Sequence, residues 1–207
     1  MMKNNSENVT GVVLAGGKAR RMGGADKGLI EINQQPMIQY VLNILKPQVK
    51  ELVINANRNV NRYEEFGYPV ITDQLEDFQG PLAGIAACME IADTQYICTC
   101  PCDGPLIAND LVDRLFTSLT SNNKQYDIAV AHDGKRMQPV YALINCELHA
   151  NLLNYLASGE RKIDRWYALH NCVEADFNDR QDCFVNVNTP EEQQQLSQHL
   201  AKQQPNA

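Results

Sequence analysis

Between Val9 and Lys27 the chain reads VTGVVLAGGKARRMGGADK, which sets four cations, Lys18, Arg20, Arg21 and Lys27, in a glycine-rich span with one acid, Asp26. The apolar run Val12-Val13-Leu14 ends in Ala15-Gly16-Gly17, which predicts a buried strand opening into a loop without bulky side chains. The amides of Gly16 and Gly17 can approach an anion closely there, and Arg21 and Lys27 suit phosphate charge. The chain as a whole carries a net charge of −7, so cations gathered against that trend point to a phosphorylated ligand. Neither G-x-x-x-x-G-K-[ST] nor G-x-G-x-x-G occurs in the stretch, which excludes a Walker loop and a dinucleotide fingerprint.

Three further residues complete a minimal kit for transfer at phosphorus. Asp103 lies between turn residues in Pro101-Cys102-Asp103-Gly104-Pro105 and suits Mg²⁺, which takes few carboxylates together with water and phosphate. Asp73 and Asn55 are candidates for reading base or ribose, since a carboxylate or an amide carbonyl accepts from guanine N1–H and N2–H₂. Nucleotidyl transfer proceeds by in-line attack on an α-phosphate, with cations and a metal ion stabilising the departing pyrophosphate.

These residues must be carried by strands alternating with helices. Strands are expected over Gly28–Ile32, Glu51–Asn55, Pro69–Thr72, Tyr96–Cys100, Asp127–Ala131, Val140–Ile144, Cys172–Phe177 and Cys183–Asn186. Helices are expected over Pro36–Lys46, Val60–Phe66, Gly80–Ala92, Ala108–Leu119 with Asn109 as its cap, and Glu147–Ala157, with a last one opened by a Thr189–Glu192 capping box. The pattern predicts an α/β fold: one Rossmann-like three-layer domain over 1–207, with a mostly parallel central sheet and flexible tails at 1–8 and 203–207. In such sheets ligands sit beyond the carboxyl ends of the strands, where Leu14, Asn55, Asp73 and Asp103 all fall. The small residues Gly80 and Gly84 either present helix-start amides to a ligand or allow a tight helix–sheet contact. A second cation group, Arg161, Lys162 and Arg165, is either an anion site or an ordinary charged surface.

At 207 residues and 44% hydrophobic content the chain can bury one full core. A pI near 5.1 gives no support for nucleic-acid binding. No apolar run approaches the roughly 18 residues of a bilayer span, so no membrane partner is expected. Seven irregularly spaced cysteines argue against a disulfide framework and suit a reducing, cytoplasmic setting. Cys98, Cys100 and Cys102 share one strand face, as small apolar fillers rather than a zinc site.

The loop LAGGKARRMGGADK, with VINANR, Asp73, GPLAGI, PCDGP, QPVYAL, SGER and FVNVNTPEE further on, resembles the molybdenum cofactor guanylyltransferases, nucleotidyltransferases of the GT-A-like α/β type. The resemblance implies transfer of GMP from GTP to the terminal phosphate of molybdopterin or its molybdenum-bound form, with Mg²⁺ (or Mn²⁺) as the metal. It implies GTP contacts from Leu14, Ala15, Gly16, Gly17, Lys27, Asn55, Asp73 and Asp103, catalytic roles for Lys27, Arg21 and Asp103, and the metal on Asp103. Gly80, Gly84, Arg161, Asn186 and Asn188 would line the pterin side of the cleft. Ala19-Arg20 stands where related transferases often have Ser, so a hydroxyl contact from this loop is not implied. A monomer is expected, with other molybdenum-cofactor biosynthesis and insertion proteins as partners. The alternatives are a molybdopterin cytidylyltransferase, another small-molecule nucleotidyltransferase, or a nucleotide-binding scaffold. NANR and NVNTPEE favour the guanylyl activity, and intact Lys27 and Asp103 argue against a scaffold.

Overall fold

The computed structural model describes residues 5–15, 26–74, 80–121, 124–187 and 189–203. Strand β1 (Val9–Leu14) is buried at every position, as its run of Val and Leu requires of a central strand covered on both faces. A 3₁₀ turn, Lys27–Leu29, follows in place of the expected strand over Gly28–Ile32. Only Glu31–Ile32 (β2) is extended there, pairing with Gln35–Pro36 (β3) in a separate hairpin. Asn33 and Gln34 turn that hairpin with φ of 50° and 66°, the left-handed pair that fits the twist of a two-residue connection.

The remaining elements are α1 (Met37–Leu45), β4 (Glu51–Asn55), α2 (Val60–Glu64), β5 (Val70–Ile71), α3 (Pro81–Ile91), β6 (Tyr96–Pro101) and α4 (Leu111–Leu119), then β7 (Ile128–His132), β8 (Met137–Asn145), α5 (His149–Ala157), α6 (Ile163–Tyr167), β9 (Cys172–Asp176) and α7 (Pro190–Gln203). Helix α4 starts later than expected: its cap is Asp110 rather than Asn109, without a side-chain capping bond. Cys183–Asn186 is not a strand. Asn178–Phe184 forms 3₁₀ turns, because Arg114 on α4 binds both Asp179 oxygens, at 2.6 and 2.8 Å, and draws that segment off the sheet. The capping box at α7 is present, with Thr189 N–H on Glu192 Oε2 at 3.1 Å and Glu192 N–H on Thr189 Oγ1 at 3.2 Å.

The main sheet has seven strands in the order β5-β4-β1-β6-β8-β7-β9. Strand β8 runs antiparallel to both neighbours, while every other adjacent pair is parallel. The carboxyl ends of β1, β4, β5, β6, β7 and β9 therefore share one edge with the start of β8. Helices α1, α2 and α4 cover one face, with Val13, Leu42, Tyr63, Leu115 and Phe177 in the core beneath them. Helices α3, α5 and α6 cover the other, over Val12, Ile85, Ile97, Ile144 and Trp166. Cys98, Cys100 and Cys102 all lie buried on the α1 side, and burial raises each thiol pKa.

A smaller core joins Ile32 and Met37 to Val187 and Leu196 of α7. Gln193 donates to the Glu31 carbonyl at 2.8 Å, and Asn33 donates to the Ser197 carbonyl at 3.1 Å. The last helix thus grips the hairpin that follows Lys27.

Candidate active site

Lys27 and Asp103 are 76 positions apart in sequence, yet Lys27 Nζ meets Asp103 Oδ2 at 2.8 Å. Asp103 follows β6, the direct neighbour of β1, and the Cys102 amide donates to the Leu14 carbonyl at 3.1 Å to tie the two strand ends together. The side chains are 27% and 14% exposed, enough to reach a ligand without being fully hydrated. Asp26 accepts from Tyr63 Oη at 2.5 Å and from Asn59 Nδ2 at 3.0 Å. Tyr63 is fully buried, and its hydroxyl lies 2.7 Å from where a side chain on Gly28 would begin. Both residues flanking Lys27 are therefore fixed from α2. Burial, then the nearby thiol and carboxylate, raise the Tyr63 pKa, so Tyr63 acts as a neutral donor.

Asn55 and Asp73 also converge, by way of a residue that the sequence did not single out. Asn55 Nδ2 donates to Asp73 Oδ1 at 2.9 Å and to the Ile71 carbonyl at 3.0 Å. Asn57 Nδ2 donates to Asp73 Oδ2 at 2.8 Å, and Asn57 Oδ1 accepts from the Asp73 amide at 2.7 Å. Each carboxylate oxygen keeps acceptor capacity for a further donor. Asn55 itself is buried, with its Oδ1 pressed against Gly84, where an added Cβ would collide with it. Gly84 thus serves a tight helix–sheet contact. The Ala15 amide is engaged by the Asn55 carbonyl at 2.8 Å and has no donor left for phosphate.

On the far side, Val187 N–H donates to the Asp103 carbonyl at 3.2 Å, so Asn186 adjoins the Asp103 turn. Gly80 opens α3 with φ 150°, and a side chain there would start 4.0 Å from the Arg161 carbonyl, which brings the 161 region to the same edge. The Arg161 guanidinium folds back onto the Leu156 and Glu160 carbonyls at 3.1 and 2.7 Å, where it complements the negative end of α5. Gly16, Gly17, Arg21 and Asn188 lie outside the described residues, as do Lys18 and Arg20.

A family model for the MobA-like NTP transferase domain matches residues 11–175. The chain belongs to this family. The molybdenum cofactor guanylyltransferase of Shewanella loihica is 52% identical over 196 residues, covering 95% of this chain and 99% of its own. That of Shewanella sediminis is 53% identical over 194 residues, covering 94% and 98%. The crystal structure of molybdopterin-guanine dinucleotide biosynthesis protein A from Archaeoglobus fulgidus superposes with a TM-score of 0.75 at 21% identity, over 93% of this chain and 99% of that one.

In this MobA-like transferase the donor set suits a weakly ligated Mg²⁺. Asp103 offers one carboxylate at the strand edge, and among the described residues no cluster of three or more His, Cys, Asp or Glu could hold a metal by itself. Mg²⁺ takes few protein carboxylates, its other ligands being phosphate and water. Asn57, Asn59 and Tyr63 are the site residues that sequence reasoning missed. The Asn-x-Asn alternation after β4 was a usable signal for Asn57, because alternate residues leaving a strand share a face; nothing local marked Tyr63.

Proposed function

We infer that this chain transfers GMP from GTP to the terminal phosphate of molybdopterin, forming the guanine dinucleotide cofactor. The observation that carries this is likeness, at 52–53% identity over nearly the full chain, to curated molybdenum cofactor guanylyltransferases. The geometry supports the same chemistry. A phosphate oxygen of the pterin substrate attacks the α-phosphorus of GTP, the bond to the bridging β-phosphate oxygen breaks, and pyrophosphate leaves. Lys27, 2.8 Å from Asp103, turns to the phosphates and neutralises charge that builds during transfer. Asp103 would hold Mg²⁺, which would supply Lewis-acid stabilisation of phosphate charge when bound.

Asp73, oriented by Asn55 and Asn57, accepts from guanine N1–H and N2–H₂ or from ribose. Gly16, Gly17 and Arg21 cradle the phosphates, and Leu14 and Ala15 form the floor beside them. Arg161, Asn186 and Asn188, with Gly80, are assigned to the pterin, while Gly84 serves the contact with Asn55. Residues 1–207 act as one domain and as a monomer. Placement in the cytoplasm is supported by seven cysteines that are all free thiols; among the described residues no helix is long and apolar enough to cross a membrane.

The test is turnover with Mg²⁺, molybdopterin and each of GTP, CTP, ATP and UTP, paired with thermal shifts for each nucleotide. GTP should be used in clear preference. Preference for CTP would leave the transfer chemistry standing and overturn the base assignment to Asp73 and Asn55. Arg161→Ala should weaken pterin binding and leave GTP binding unchanged; equal loss of both would place the residue in the shared framework instead.

A further inference from the structure

Asn186 stands at a junction. Its neighbour Val187 is bonded to the Asp103 turn, while Asn186 itself lines a cleft of about 410 Å³ between the β7–β8 hairpin and residues 181–186. That size falls in the usual range for small-molecule sites. The hairpin leaves the sheet on the same edge as Asp103, because β7 runs parallel to β9 and antiparallel to β8, which is itself antiparallel to β6. Lys135, Arg136, Gln138, Asp182 and Val185 form the rest of the lining that matters here.

Both walls are braced, the hairpin wall by Asp133, which itself lines the cleft. Asp133 accepts from the Lys135 amide at 2.8 Å, the Arg136 amide at 2.7 Å and Gln138 Nε2 at 2.7 Å. These donors, the amides foremost, hold its carboxyl down to about 2. The opposite wall is tied to α4 through the paired Arg114–Asp179 bonds. Lys135 and Arg136 are exposed and make no ion pair among the described residues. In the other cation group, by contrast, Arg161 is folded onto helix carbonyls and Arg165 meets Glu160 at 3.4 Å.

The lining combines cations, a carboxylate at Asp182 and an apolar side chain, Val185, that is 50% exposed. A simple phosphate site would not retain Asp182 beside the cations. A pterin fits the mixture: its 2-amino and N3–H groups are paired donors for a carboxylate, its flat face covers an apolar side chain, and the dithiolene and any bound oxomolybdenum group bring negative charge. We propose that this cleft is the subsite for the 2-amino-4-oxopterin ring of the second substrate. Asp182 accepts from the amino–amide edge, Lys135 and Arg136 attend the anionic sulfur side, and Asn186 marks the path of the phosphate toward Asp103. The proposal rests on the transfer function inferred above.

Two variants test it, Lys135→Ala/Arg136→Ala and Asp182→Asn, neither of which alters the Lys27–Asp103 pair. The double variant should raise the KM for molybdopterin about tenfold or more, as loss of charge-assisted contacts would, and leave the KM for GTP and the Tm unchanged. Asp182→Asn should weaken binding of 6-hydroxymethylpterin, followed by the ligand's own fluorescence, and leave binding of lumazine, which lacks the 2-amino donor, as it is in the parent protein. Unchanged molybdopterin KM in both variants, with GMP transfer intact, overturns the subsite and leaves the transfer function standing. A parent protein that forms no guanine dinucleotide overturns the transfer function, and the subsite with it.

Discussion

At the ends of β4, β5 and β6, Asp73 and Asp103 are each held by side chains from another part of the chain, Asp73 by Asn55 and Asn57 and Asp103 by Lys27. At the end of β7 the functional side chains stand on a hairpin, exposed, with only the backbone beneath them pinned. In the first region the carboxylates are held by neighbouring side chains. The second presents exposed charged tips from a fixed base. A nucleotide asks the same contacts at every turnover, so preorganised donors and acceptors reduce what must reorganise as charge moves. A bulky pterin with a variable metal load needs adaptable cations, for which long side chains on a rigid turn are suited.

The sharpest break in this contrast should come from Asp103→Ala. Metal-dependent turnover should vanish while calorimetry shows a folded protein, since the side chain sits at an edge. Near-normal activity at low Mg²⁺ would remove Asp103 from the metal site. Next is Lys27→Ala, expected to lower kcat on the order of 10²-fold, as loss of one preorganised donor does. A change in KM alone would make Lys27 a binding residue without a share in the transition state.

Tyr63→Phe is expected to be milder and more telling. It removes one hydroxyl and keeps the ring, so Asp26 loses a buried donor worth about 1.5–3 kcal/mol to a charged acceptor. If Tyr63 positions Lys27, kcat should fall several-fold with GTP affinity intact; a lowered Tm with unchanged kcat would make it only a structural prop. The smallest effect belongs to the hairpin. Asp133 has a folded pKa near 2 against an ordinary 3.8, so its contribution to stability is present above pH 3.8 and disappears as pH falls through 2. The Lys135 and Arg136 amide resonances should titrate with a midpoint near 2, and a midpoint at the ordinary value would mean the turn is open in solution.

Much of the first region was legible in the sequence because its chemistry is local to strand ends. Leu14, Asn55 and Asp103 could be placed at one edge from apolar runs that stop at polar residues. What could not be read was pairing at long range. Asp26 is held by Tyr63 of α2 and by Asn59 before it, and Arg161 rests on carbonyls at the end of α5, ties between segments that no local pattern marks. Cys183–Asn186 has strand-like composition, yet the chain there enters from 3₁₀ turns whose Asp179 is tied to Arg114, 65 positions away. Such ties depend on side chains that meet only after the sheet has formed, which periodicity does not encode.

The grip of α7 on the β2–β3 hairpin has a consequence for how the protein is made. Asn33 and Ser197 touch across 164 positions of chain, so the hairpin that follows Lys27 leaves the ribosome long before its clasp exists. At about 5–20 residues per second the wait is roughly 8–30 seconds, during which Ile32 and Met37 lack the Leu196 side chain that covers them. A nascent chain stalled before α7 should therefore fold its sheet and still leave Lys27 unsteady, and competence for transfer should wait for the synthesis of α7.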